Sequence, residues 1–179
     1  SMKNFQSLLL IAAMFVSFSM IGQIGGWKAD LVEDSGKALD EMIEKQPKLQ
    51  SFKDKSYGYA VFPKVTKGAV GVGGAGGKGI VYKNHVPTGE STLSQVTLGF
   101  QAGGQQYKEV IFFENAAAYE KFTNKKVKFD GQASAVAITE GGSVDVAFKD
   151  GIAVFTQTSG GLMFEASIGG QHFSFKPKE

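Results

Sequence analysis

Residues 57–83 read YGYAVFPKVTKGAVGVGGAGGKGIVYK, and the fold turns on whether this glycine-rich run is a phosphate-cradling loop or β-structure. Seven glycines fall between Lys67 and Tyr82, and Gly71, Gly73 and Gly76 satisfy the spacing G-x-G-x-x-G. A dinucleotide fingerprint needs a helix after its last glycine, so that the pyrophosphate meets the helix N-terminus. Here Gly79, Ile80, Val81 and Tyr82 follow, which is strand composition. A Walker A loop fails as well, because Val72 stands where its first glycine belongs and Gly79 where its magnesium-binding hydroxyl belongs. The run is therefore predicted to be a hairpin or bent strand pair, AVGV to GIVY, whose glycines permit close approach of another backbone or a ring. In that hairpin Lys67 and Lys83 lie near the open end and Lys78 near the turn, with their ammonium groups presented to an anionic headgroup.

The pattern on either side sets the class. From Tyr57 onward, apolar residues alternate in about ten short segments rich in β-branched and aromatic side chains, separated by glycine, asparagine or aspartate. Before them, Leu31, Ala38, Leu39, Met42 and Ile43 fall at helical spacing, and Pro47 opens a second short helix with Leu49 and Phe52. One further helix is predicted from an Asn115 N-cap through Phe122. The expectation is an α+β fold: N-terminal amphipathic helices packed on a curled, mainly antiparallel β-sheet or partly closed barrel of about ten short strands. An alternating apolar series ending in Gly103-Gly104-Gln105 recurs 66 residues later, ending in Gly169-Gly170-Gln171. Each Gly-Gly is predicted to be a β-bulge that bends its strand.

Composition narrows the chemistry. All 19 basic residues are lysine, the net charge is +2, and there is no cysteine among the 179 residues. Disulfides, thiolate metal sites and cysteine nucleophiles are excluded. Without arginine's planar fork or a strongly basic balance, nucleic acid is not an expected partner. His85 and His172 show no metal-ligand spacing, and no serine sits in G-x-S-x-G. No catalytic residue, metal ligand or cofactor is therefore assigned, and the chain is read as a non-enzyme.

The N-terminus carries an address. Ser1 ahead of Met2 reads as a cloning scar. Lys3, the apolar run Leu8–Val16 and the small residues Ser17–Ser19 then follow the order of a secretory signal peptide. Residues 1–22 are assigned to scar plus signal and 27–179 to one domain, with an exported, periplasmic or envelope-associated destination. Trp27, just before the first helix, is a candidate interfacial anchor.

Four blocks carry a family resemblance: A-V-F-P at Ala60–Pro63, K-G-A-x-G-V-G-G at Lys67–Gly74, G-K-G at Gly77–Gly79, and G-L-M-x-E-x-S-x-G-G-Q at Gly161–Gln171. Their order and spacing resemble the SYLF domain family of lipid-binding proteins, from about Leu31 to Phe175. The resemblance implies a module that binds phospholipid or a membrane surface. Lys64, Lys67, Lys78 and Lys83 would contact anionic headgroups, and Trp27 would add an apolar anchor. The alternative is a structural or adhesive envelope protein that binds a protein or glycan through its sheet; no protein partner is specified.

Overall fold

A computed structural model describes residues 29–69, 72–98, 101–129, 133–138, 146–158 and 165–179. The predicted signal segment 1–22 and Trp27 lie outside them. Helix α1 (Ala29–Lys45) turns Ser35, Ala38, Leu39 and Met42 inward. Pro47 caps α2 (Lys48–Lys55), whose missing N–H costs nothing at a helix start, and Leu49 anchors it. Four long strands follow: β1 (Gly58–Ala69), β2 (Val72–Lys83), β3 (Val86–Leu98) and β4 (Gln101–Phe113). Helix α3 (Ala116–Thr123) precedes five shorter strands: β5 (Ser134–Ala137), β6 (Ile152–Thr158), β7 (Glu165–Ser167), β8 (Gln171–Phe173) and β9 (Lys176–Pro177).

The order across the sheet is β7-β5-β6-β4-β1-β2-β3-β8, with β9 also on β3. Every pairing is antiparallel except β5 with β6. The two edge strands β7 and β8 are joined only through Ile168, Gly169 and Gly170. Such a link reaches about 14 Å, whereas the edges of a flat sheet this wide stand about 34 Å apart. The sheet must therefore curl into a half-barrel. Gln95 of β3 holds the link in place, its Nε2 donating to the carbonyls of Ser167 (3.2 Å) and Gly169 (2.8 Å).

Both faces are buried. On the convex face α1 and α2 cover Tyr59, Val61, Ile80, Tyr82, Val110 and Phe112. Phe52 of α2 packs among the rings of Phe112, Phe148 and Phe155, with centroids 5.0–5.7 Å away. The concave face gathers Ala60, Phe62, Val65, Ile111 and Phe113 under α3, which contributes Ala118 and Phe122. Phe122 meets Phe113 at 4.9 Å and Phe173 at 5.0 Å, so β8 is tied across the barrel mouth to α3.

Several expectations need correction. There are nine strands among the described residues, and four of them run 12 or 13 residues. Glycine does not separate the strands here. GYAVF and Gly68-Ala69 belong to one strand, and β2 and β4 run straight through Gly76-Gly77 and Gly103-Gly104. β1 and β2 pair from Gly58–Lys83 to Gly68–Gly74, so Lys78 lies in the middle of a strand and not beside the hairpin turn. The first Gly-Gly does mark an irregularity, since β1 advances from Lys67 to Ala69 while its partner goes from Gln105 to Gln101. The second is a turn between β7 and β8, where Gly170 takes φ +80°. The apparent repeat therefore relates a strand to a turn. A bulge that the sequence did not announce sits at Pro63-Lys64: between Phe62 and Val65, β1 spends three steps against two on β4. Proline is tolerated there because the ladder hydrogen bond is already interrupted.

Candidate functional site

The curl and the bulge decide where the predicted lysines point. Lys83 pairs with Gly58 at the open end of the β1–β2 hairpin, and Lys67 pairs with Ala75 near its closed end. Nine strand residues separate these rows, or about 30 Å. Alternation from Ile80 and Tyr82 puts Lys78 on the convex face, and alternation from Val65 puts Lys64 there too. Lys67 and Lys83 fall on the opposite face. The fold thus brings Lys64 and Lys78 together but separates both from Lys67 and Lys83. Lys78 also pairs with Glu90 at 3.3 Å, and the Lys83 ammonium lies 5.3 Å from the Tyr57 ring centroid.

A denser basic surface follows α3, and the sequence reading passed over it. Asn115 caps the helix as predicted, accepting from the Ala118 N–H at 2.9 Å. At the other end the Lys126 N–H reaches the Lys121 carbonyl and the Lys125 N–H the Phe122 carbonyl, both at 2.9 Å. This is a Schellman closure, and its left-handed position, φ 59°, is held by Lys125 where glycine is the usual occupant. Phe122 and Val127 are buried, so the intervening and flanking Lys121, Lys125, Lys126 and Lys128 are all driven outward. None of the four makes an ion pair among the described residues. Their charges also sit at the helix C-terminus, where its partial negative charge favours cations. The block NKKVK behind a capped helix was the available signal.

An open groove of about 250 Å³ lies between α1, α2 and the β2–β3 turn, lined by Gly36, Leu39, Asp40, Lys53, Tyr59, Tyr82 and His85. Tyr59 and Tyr82 stack with centroids 4.8 Å apart, and the Tyr59 hydroxyl lies 3.5 Å from His85 Nδ1. Asn84 and His85 form the turn with φ 49° and 63°, the left-handed pair that a two-residue hairpin requires. Burial first pushes both tyrosine hydroxyls up to about 12, helped at Tyr59 by Tyr82 and then Asp40 and at Tyr82 by Asp40, so they remain neutral donors. A second groove, of about 440 Å³, runs along Phe52, Lys55, Glu114 and Phe148.

The barrel interior holds a buried acid. Glu109 of β4 is fully enclosed between Tyr107 and Ile111, and Gln171 Nε2 donates to its Oε2 at 3.0 Å. Burial pushes its carboxyl up to about 8, against the opposing pull of the Gln171 bond. Glu109 Oε1, Thr156 Oγ1 and the Oε1 atoms of Gln95 and Gln171 have no hydrogen-bond partner among the described residues. A carboxyl that keeps its proton at neutral pH supplies one donor to this oxygen-rich interior.

The Ysc84 family model, described as "Las17-binding protein actin regulator", matches residues 94–179. Residues 94–179 are thus similar to the SYLF (Ysc84) domain family, the family that the sequence blocks resemble. Beta cell expansion factor A of Aeromonas veronii is similar as well, 27% identical over 139 residues that make up 76% of this chain and 52% of that protein. The chain thus spans about half the length of that relative. Within that match lie the last five residues of β3, all of β4, α3 with the four lysines at and after its C-terminus, Glu109 and Gln171. The glycine-rich hairpin, which carries three of the four sequence blocks, precedes the matched residues.

Proposed function

We propose that this SYLF domain is a non-enzymatic lipid-binding module of the bacterial cell envelope that attaches to anionic phospholipid surfaces through lysine. The observation that carries this reading is the surface after α3: four exposed lysines in eight residues, fixed by two buried anchors and free of ion pairs among the described residues. Each lysine near an anionic leaflet contributes on the order of 1 kcal/mol, so the set supports reversible, salt-sensitive attachment. Lys64 and Lys78 form a second, weaker contact on the convex face, and Lys67, Lys83 and Trp27 add to attachment from other positions. Export is part of the proposal, resting on the signal-like segment 1–22; N-terminal sequencing of protein recovered from a periplasmic fraction tests it.

The direct experiment is co-sedimentation of the full chain with vesicles of increasing phosphatidylglycerol content, at low and high salt. A fourfold charge reversal at Lys121, Lys125, Lys126 and Lys128 is expected to weaken binding more than tenfold. The matching reversal at Lys64, Lys67, Lys78 and Lys83 should weaken it less. Absence of sedimentation at every composition sinks the lipid reading. A second reading then takes over, in which the same cationic surface holds an acidic polypeptide or glycan. The family description, which concerns binding to the protein Las17, favours that reading for the surface within residues 94–179.

A further inference from the structure

Gly36 is the odd residue of α1. Glycine within a helix costs about 1 kcal/mol relative to alanine. Among the described residues nothing lies within 4 Å of where a Gly36 Cβ would stand, so their packing does not require it. What its missing side chain does is leave open the wall of the 250 Å³ groove. That groove is lined by one carboxylate, Asp40, one ammonium, Lys53, two stacked phenols and an imidazole. Asp40 and Lys53 form no ion pair with each other or with another described residue, although they share the same small space. Asp40 lines the groove together with both tyrosines, and its charge is felt by both hydroxyls.

We infer that this groove binds an alkylammonium phosphate, the moiety shared by phosphocholine and phosphoethanolamine. The ammonium sits against the Tyr59 and Tyr82 pair and Asp40, where ring faces and a carboxylate both attract a cation. The phosphate meets Lys53. A ligand carrying both charges at once explains two opposite, unpaired charges flanking an aromatic wall, which a simple cation or anion does not. The volume is smaller than that of drug-sized sites and suits a headgroup without its chains. The site is separate from the lysines after α3, so either can fail without the other.

The test is titration of the full chain with phosphocholine, phosphoethanolamine, tetramethylammonium and inorganic phosphate, followed by chemical shifts of the His85 and tyrosine rings. Saturable shifts are expected with the two zwitterions at a Kd of about 1 mM. Each single-charge probe should bind at least tenfold more weakly. Asp40→Asn should lose the zwitterions and tetramethylammonium but leave phosphate unchanged, and Lys53→Gln should do the reverse for phosphate. Gly36→Leu should abolish zwitterion binding by filling the groove, while Gly36→Ala, which keeps the helix and adds one methyl, serves as the folded control. Co-sedimentation with pure phosphatidylcholine or phosphatidylethanolamine vesicles, lost in Asp40→Asn, assigns the moiety to a membrane lipid. Zwitterion binding without such sedimentation assigns it to a soluble compound. No saturable shift with either zwitterion overturns the inference, as does binding that survives both Asp40→Asn and Gly36→Leu. The fourfold lysine reversal should leave the titration unchanged even where it abolishes attachment to anionic vesicles.

Discussion

The two faces of the central sheet are built to opposite standards. On the concave face glycine marks close contact: a Cβ on Gly77 would stand 2.5 Å from the Lys64 carbonyl oxygen and one on Gly79 2.7 Å from the Phe62 ring. On the convex face a Cβ on the helix glycine Gly36 would meet none of the described residues within 4 Å, and a groove runs beside it. Glycine thus has two meanings in one chain. In β2 it allows backbones and rings to meet, and in α1 it preserves space. The two binding sites proposed above, the convex groove and the lysines at the α3 C-terminus, both lie away from these glycine contacts.

The largest effect that would break this contrast is at Gly79. Gly79→Val should destabilise the fold by more than about 3 kcal/mol in urea denaturation, because the strand cannot retreat from both Val61 and Phe62. A loss below 1 kcal/mol in the same measurement would show that the concave face yields.

Next comes the buried acid. Its carboxyl titrates near 4.5 in the unfolded chain and near 8 when folded. Between those values the folded protein keeps a proton that the unfolded chain has released, so stability falls as pH rises from about 4.5 to 8 and this contribution is flat above. The slope is about 1.4 kcal/mol per pH unit. Glu109→Gln should flatten it in denaturation curves taken across that window; an unchanged slope would place the proton elsewhere.

Asn115→Ala should cost about 1 kcal/mol by removing the α3 cap, and should loosen the helix that carries the lysine surface. Hydrogen exchange rising in residues 116–128 before the rest of the fold is the expected sign. The smallest effect marks the convex face: Gly36→Ala should raise stability by up to about 1 kcal/mol, since helix propensity improves and nothing is displaced. A loss there would mean that the space above Gly36 is not free.

Much of this was legible in the chain. The helical spacing of Ala38, Leu39 and Met42, the Pro47 break and the Asn115 cap all read directly, because each depends on neighbours within one or two turns. Strand lengths did not, since glycine punctuates a sequence whether it turns the backbone, as at Gly170, or lets it pass another strand, as at Gly79. The candidate lysines of the hairpin were expected at its ends and turn, whereas all four lie within β1 and β2, and one extra residue at Pro63-Lys64 shifts the parity that fixes the faces of Lys64 and Lys67. The lysines after α3 were visible as a charge block but gained meaning only once Phe122 and Val127 were seen to pin them.

The amino-acid sequence by itself determined the α+β class, the absence of thiol chemistry, the all-lysine basic complement and the positions of the helices. These follow from composition and from interactions between near neighbours along the chain. Only the tertiary structure decided that the sheet curls until a three-residue link joins its edges, that Glu109 is sealed from water, and that Asp40, Tyr59, Tyr82 and His85 share one groove. Those facts depend on contacts between residues tens of positions apart, and local patterns carry no information about which distant partners will be chosen.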